Sequence, residues 1–145
     1  MRFSKKTEYA LRAVLILADH PPNQTLQIQE LSSISGVSVK FLEQILLALK
    51  KEGILRSKRG VGGGYQLDLP ARSITLGQVI RVMDGDLCNL SSTTTSHDTP
   101  AYAGSSGLQT RFSEIDTQIN QVLNDTSLEE ILSMDRPKDV LAFDI

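Results

Sequence analysis

The sequence predicts a mainly α-helical chain with one small β-hairpin, arranged as a winged helix-turn-helix domain with a long C-terminal dimerisation helix. Three observations predict this fold. Three amphipathic helical stretches come before residue 53, two short alternating segments flank a glycine-rich tip at 58–64, and a two-heptad apolar repeat starts at residue 108. A chain of 145 residues is long enough to bury a self-sustaining core.

The first helix is expected to begin after Ser4, whose hydroxyl can cap it. Ala10, Val14 and Leu17 then recur at the three-to-four spacing of a helix with one buried face. The prolines that start at Pro21 end the helix, because proline disrupts helical backbone.

The second and third helices form the expected helix-turn-helix pair. Ile28, Leu31 and Ile34 mark a short second helix, and a tight turn leads to Ser38, a good N-terminal cap for the third. The third helix is expected to stop at Gly53. Its predicted buried side chains are Phe41, Leu42, Ile45, Leu46 and Leu49.

The wing is the β-hairpin predicted after Gly53. Residues 54–57 and 65–67 alternate as two short strands around the glycine-rich tip. A fourth helix follows Pro70, with Thr75 as its cap and Gly85 as its end. Three helices followed by a hairpin is the element order of a winged helix.

The chain divides by composition into three parts. Residues 1–85 form the predicted DNA-binding domain, and residues 86–107 lose hydrophobic periodicity and predict a flexible loop. Residues 108–145 hold the dimerisation helix and the C-terminal segment. The helix carries an apolar seam typical of packing against a partner helix, which predicts a homodimer, although packing against its own domain remains an alternative. The seam consists of Leu108, Phe112, Ile115, Ile119 and Val122.

Composition and charge favour a protein of the cytoplasm that binds an anion. The single cysteine, Cys88, cannot form an internal disulfide and suits a reducing compartment. The longest apolar run, 13–18, is too short to span a membrane, so no membrane partner is expected. Residues 1–60 carry a charge of +5 and residues 61–145 carry −7. This asymmetry suggests a basic half that binds double-stranded DNA, although two solvated faces would look the same.

The start of the third helix carries residues suited to reading base pairs. In a helix-turn-helix the N-terminal part of the second helix contacts base edges in the major groove. Lys40 suits phosphate or guanine, Glu43 the cytosine amine and Gln44 adenine, and Ser38 lies beside them. A plain solvent-exposed face is the alternative, and the position after a helix-turn-helix turn favours DNA.

The wing tip and the start of the first helix supply the remaining predicted DNA contacts. Lys58 and Arg59 lie on the tip, where glycines including Gly62 and Gly63 let the backbone approach a ligand closely. A loop that binds the phosphates of a nucleotide is disfavoured, because such a loop has its glycines between a strand and a helix. In this chain the glycines lie between two predicted strands. The pair at 5–6, Lys5 and Lys6, is expected to hold a phosphate at a helix N-terminus.

No arrangement of residues indicates an enzyme. Cys88, His97 and His20 are the only thiol or imidazole groups, and they show no metal-ligand spacing. A nucleophile needs a positioned base, and Cys88 and His97 both fall in the predicted loop. We therefore expect a non-enzymatic protein.

Four segments together resemble the Rrf2 family of bacterial winged-helix regulators. They are the opening stretch at 1–13, FLEQI at 41–45, RGVGGGY at 59–65 and ITLGQVI at 74–80. The resemblance spans nearly the whole chain. It implies a winged-helix domain, a long dimerisation helix and regulation, as repressor or activator, at palindromic operators. It also implies that Glu43 and Arg59 contact DNA.

The resemblance leaves the sensing chemistry open. Many members of the family hold an iron-sulfur cluster through three cysteines in the loop before the long helix, whereas this chain has only Cys88 there. We expect a regulator without a cofactor that responds to a small molecule, a protein effector or oxidation of Cys88. One alternative is a 2Fe-2S redox sensor using Glu8, Cys88 and His97 as ligands. Another is a protein-interaction module in which DNA binding is vestigial.

Overall fold

The computed structural model describes residues 2–94 and 100–136. It confirms the predicted mainly helical fold with one antiparallel hairpin. The elements, in chain order, are helices α1 (Lys5–Asp19), α2 (Ile28–Ser35) and α3 (Val39–Lys51), strands β1 (Leu55–Lys58) and β2 (Gly64–Leu67), and helices α4 (Leu76–Asp84), α5 (Ser105–Asp125) and α6 (Leu128–Asp135). Two short 3-10 turns lie at Ala71–Ser73 and Ser91–Thr94.

The helix starts are defined by the predicted caps. The hydroxyl oxygens of Ser4 and Ser38 each accept a hydrogen bond from the backbone N–H three residues on. Thr75 and Gln78 form a reciprocal capping box at the start of α4. These bonds satisfy N–H groups that have no partner within the helix, so the sequence determines the starts locally.

The core lies between α1, the α2–α3 pair, α4 and α6. The α2 and α3 axes differ by 111°, which is within the range of a helix-turn-helix. No single helix in the described ranges is long and apolar enough to cross a membrane; only the bent α2–α3 pair, taken together, has the length and composition for it. The largest fully buried side chains include Leu31, Leu42, Ile45, Leu46, Leu49, Ile74 and Leu128.

Two expected core residues lie on the surface. Phe41 is 55% exposed, although its spacing predicted the buried side of α3, and Ile34 is 61% exposed. Leu42, Ile45, Leu46 and Leu49 already fill the inner face of α3, so the Phe41 ring lies on the flank towards α1. An apolar residue at the edge of the apolar stripe of a helix can be either buried or exposed, so spacing alone does not decide its position.

The hairpin is joined to the helix-turn-helix by a short backbone bridge. Strands β1 and β2 pair antiparallel, with Leu55 opposite Leu67. Leu26, which precedes α2, exchanges two backbone hydrogen bonds with Tyr65, of 2.9 and 2.8 Å. Gly64 makes this possible, because a Cβ there would overlap the Leu26 carbonyl. The wing is therefore positioned by the segment that leads into α2.

Helix α6, which the sequence analysis did not separate from the C-terminal segment, returns to the first domain. Leu128 is fully buried in the core. The Leu128 N–H donates to the Ile74 carbonyl at 2.9 Å, and the Leu76 N–H donates to the Thr126 carbonyl at 2.9 Å. Residues after 108 thus complete the core of the first 85.

Candidate nucleic-acid interface

The exposed face of α3 presents the predicted base-reading side chains. Lys40, Glu43 and Gln44 are all exposed, and none is bound to a neighbouring side chain in the described part of the chain. Ser38 is exposed too, but its hydroxyl oxygen accepts the Phe41 N–H at 3.3 Å. Lys40, Glu43 and Gln44 can therefore bind an external partner without breaking an internal bond, while Ser38 also serves the helix as its cap.

The wing tip presents Lys58 and Arg59 to solvent. A tight turn closes the tip, with the Gly63 N–H donating to the Gly60 carbonyl at 2.9 Å. A Cβ on Gly63 would overlap the Lys58 carbonyl, so the turn itself requires a glycine at that position. Gly62 and Gly63 therefore determine the shape of the tip, besides any close approach to a ligand.

Thr25 braces the wing, a role that the sequence analysis missed. Its hydroxyl lies 2.6 Å from the Gly62 carbonyl and 3.1 Å from that of Gly63, and can donate to either. No local pattern marks Thr25, because its partners lie 37 and 38 residues further along the chain. Together with the Leu26–Tyr65 bridge, it couples the wing to the helix-turn-helix.

The N-terminus of α1 is already bound to an anionic side chain of the same chain, that of Asp84. Ser4 donates to Asp84 through its backbone N–H at 3.2 Å and its hydroxyl at 2.6 Å, and the Thr7 hydroxyl donates to Asp84 at 2.7 Å. Hydrogen bonds from Ser4 and then Thr7 lower the pKa of Asp84. A DNA phosphate at this end would meet the exposed side chains of Lys5 and Lys6, but Asp84 competes for the helix terminus.

Comparison with known proteins assigns the architecture to a family. The model of the Rrf2 family, described as an iron-dependent transcriptional regulator, matches residues 3–134. The chain belongs to the Rrf2 family. It is 31% identical over 134 residues to the HTH-type transcriptional regulator IscR of Vibrio parahaemolyticus, covering 92% of this chain and 78% of that one. Its relatives are transcriptional regulators, so the expectation of a non-enzymatic regulator is confirmed.

Solved structures of Rrf2 proteins share the fold. The structure of CymR, the global cysteine regulator of B. subtilis, superposes with a TM-score of 0.81 at 25% identity, covering 94% of this chain and 99% of that one. T. potens IscR superposes with a TM-score of 0.74 at 24% identity, covering 98% and 96%, and is similar in fold. The winged-helix architecture is therefore common to this chain and both regulators.

The segment that begins at Cys88 is held by α5. The side chain of Asn120 bonds both backbone groups of Cys88, accepting from its N–H at 2.8 Å and donating to its carbonyl at 3.0 Å. Asp116, the one buried residue of α5, accepts the N–H groups of Leu90 and Ser91 at 2.6 and 2.9 Å. Residues 88–91, part of the predicted flexible loop, are thus anchored to α5.

The thiol of Cys88 is part of the same network. It is buried and donates to Asp116 at 3.2 Å. Burial raises the pKa of the Cys88 thiol, and the hydrogen bond and charge of Asp116 raise it further. For Asp116, burial alone would raise the pKa, but hydrogen bonds from Ser91, Leu90 and Cys88 outweigh it and lower the pKa to about 2. The stable pair is therefore a neutral thiol and an ionised carboxylate.

Of the two other residues of the alternative metal site, the structure describes only Glu8. Glu8 is bound by Lys5 at 3.0 Å and by Arg12 at 2.8 Å, and the Lys5 hydrogen bond lowers its pKa. His97 lies outside the described residues. Within 2–94 and 100–136, no three His, Cys, Asp or Glu side chains are grouped to hold a metal. A cluster held by thiolates normally takes four ligands, so the single thiol of Cys88 does not fit one.

Proposed function

We propose that this Rrf2 protein is a cytoplasmic homodimer that binds palindromic operators in double-stranded DNA and uses no iron-sulfur cluster. The supporting observation is that one unit exposes both a polar face of α3 and a cationic wing tip. Lys40, Glu43 and Gln44 are exposed on α3 and Arg59 is exposed on the wing tip, and backbone bonds join the wing to the segment before α2. Such a unit suits one major groove and the neighbouring minor groove.

The dimer is inferred from the α5 seam. Leu108 and Val122 are 39% and 64% exposed, and Phe112, Ile115 and Ile119 are only half-buried. In the described ranges, the apolar side chains packed on the core include none of the five. A row of partly exposed apolar side chains between 108 and 122 of a 21-residue helix suits the same helix of a second copy. A two-fold dimer in turn matches two half-sites of a palindrome.

Arg59→Ala and Glu43→Ala are expected to damage DNA binding in different ways. A duplex selected from a random library by the wild-type protein serves as probe in titrations at low and moderate salt. Arg59→Ala should weaken binding about tenfold or more, because a cation is lost from the wing. Glu43→Ala should relax preference at one base pair per half-site by about 1–3 kcal/mol.

The matched control is Arg136→Ala, which removes an exposed cation at the end of α6, outside both the interface and the seam. Its affinity for the selected duplex should equal that of the wild type. Unchanged affinity and preference in both interface variants would refute the assignment of Arg59 and Glu43. If the wild-type protein selects no sequence, the protein-interaction alternative replaces the proposal.

We expect the protein purified without oxygen to be colourless. Cys88 is the single thiol of the chain and is bound to Asp116, whereas a cluster held by thiolates normally takes four ligands. The measurement is the visible absorption spectrum together with the iron content, before and after incubation with ferrous iron and sulfide. Stoichiometric iron and visible absorption that disappear in Cys88→Ser would establish the 2Fe-2S alternative. The signal would then be sought among redox agents instead of small molecules and protein partners.

A further inference from the structure

The most exposed aromatic ring near the base-reading side chains is Phe41. It lies in the first turn of α3 and is 55% exposed. Gln44 follows it by three residues, so the two side chains are neighbours on the helix surface. The first turn of this helix is the part that reaches base edges in a helix-turn-helix. Phe41 therefore stands at the margin of the base-reading face.

The ring is held in place by a row of contacts from α1. Tyr9 packs edge-on against Phe41, with ring centroids 6.0 Å apart and planes at 71°. The guanidinium of Arg12 lies 5.6 Å from the Tyr9 centroid. Arg12 is itself tied to Glu8 at 2.8 Å and to the Ser35 carbonyl at 3.2 Å. An exposed phenylalanine on a surface is common, but one supported this way is pre-organised to meet a partner.

The chemistry of the ring limits what it can read. A phenyl group has no hydrogen-bond donor or acceptor, so it gains nothing from the amine, carbonyl and ring-nitrogen groups that distinguish most bases. In the major groove the apolar feature is the C5-methyl group of thymine, which apolar side chains contact. Covering that methyl also removes part of the exposed ring from water.

We propose that Phe41 binds the C5-methyl group of one thymine in each half-site, and that Tyr9 is a positioning residue for it. This inference rests on the proposed DNA binding. It adds thymine specificity at one position to the polar contacts of Glu43 and Gln44. A hydrogen bond from glutamine or to glutamate does not supply the same preference, because these polar groups gain nothing from a methyl group.

The test replaces single thymines by deoxyuridine, which lacks only the methyl group. The probe is the duplex selected by the full-length wild-type protein, with one thymine changed at a time in both half-sites. At one position per half-site, the wild type should bind the deoxyuridine duplex about fourfold more weakly, the effect of one buried methyl group. Phe41→Ala should bind the two duplexes equally.

Tyr9 variants test the positioning role. Tyr9→Phe keeps the edge-on ring and should keep the discrimination between thymine and deoxyuridine. Tyr9→Ala should reduce this discrimination while retaining preference at the Glu43 position, a split that general loss of folding would not produce. Circular dichroism should show the same helix content in Phe41→Ala as in the wild type, since Phe41 is mostly exposed.

Three outcomes decide the inference. Equal sensitivity to deoxyuridine in the wild type and Phe41→Ala would overturn the role of Phe41 while leaving the proposed function intact. If the wild type binds every deoxyuridine duplex as tightly as the thymine duplex, the role of Phe41 is likewise overturned. The ring would then be tested for binding to a protein partner. Failure of the wild type to select any duplex would remove both proposals.

Discussion

Gly64→Ala is expected to detach the wing and to lower the free energy of unfolding by about 3 kcal/mol or more. The added Cβ would overlap the Leu26 carbonyl, and the backbone φ of +142° is one that an alanine rarely adopts. Such strain costs about 1–3 kcal/mol, and separating Leu26 from Tyr65 loses two hydrogen bonds of about 1 kcal/mol each. Thermal and urea unfolding followed by circular dichroism measures the change.

Gly62→Ala is the matched control for the wing. Its φ of 75° is also left-handed, but a Cβ there has nothing within 4 Å. The cost should therefore be about 1 kcal/mol, with the Leu26–Tyr65 bridge intact. Gly64→Ala should therefore lower the free energy of unfolding by about 2 kcal/mol more than Gly62→Ala. Equal stability of the two variants would contradict the role given to the bridge.

Val122→Glu is expected to convert the dimer into monomers and to reduce DNA affinity about a hundredfold or more. Val122 is 64% exposed in the single chain, so a charge there should not disturb the protomer. In the proposed dimer the same carboxylate would be buried in an apolar seam, which costs several kcal/mol when unpaired. A monomer can then bind only one half-site of the palindromic duplex. Sedimentation and duplex titration measure the two effects.

Gln121→Glu makes the same change of charge on the opposite side of α5. Gln121 is exposed and lies outside the seam, so this variant should remain dimeric and bind DNA as the wild type does. A wild type that sediments as a monomer, or a Val122→Glu variant that stays dimeric, would show that the seam has another partner.

The local features were predictable because each depends on residues close in sequence. Hydroxyl caps at Ser4, Ser38 and Thr75 act on N–H groups three residues away. The positions of glycine and proline residues predicted the hairpin and the helix ends. The exposure of Phe41 and Ile34 could not be predicted in the same way. The spacing of apolar residues shows which face of a helix is apolar, but not how much of that face the neighbouring helices bury.

The features that tertiary structure decided are contacts between distant segments. Thr25 meets the wing across 37 residues, Asp84 meets Ser4 across 80, and Asp116 meets Cys88 across 28. No sequence pattern marks these polar side chains, because the residue type alone does not show whether a hydroxyl or carboxylate will contact water or a distant partner.

By itself the sequence determined the helical order, the wing, the family and the exposed residues proposed to bind DNA, since periodicity, caps and short motifs carry that information locally. The fold alone decided that the Cys88 thiol is buried and donates to Asp116, and that Phe41 faces outward. Both depend on which groups meet after the chain has closed, through burial and hydrogen bonds that no spacing encodes.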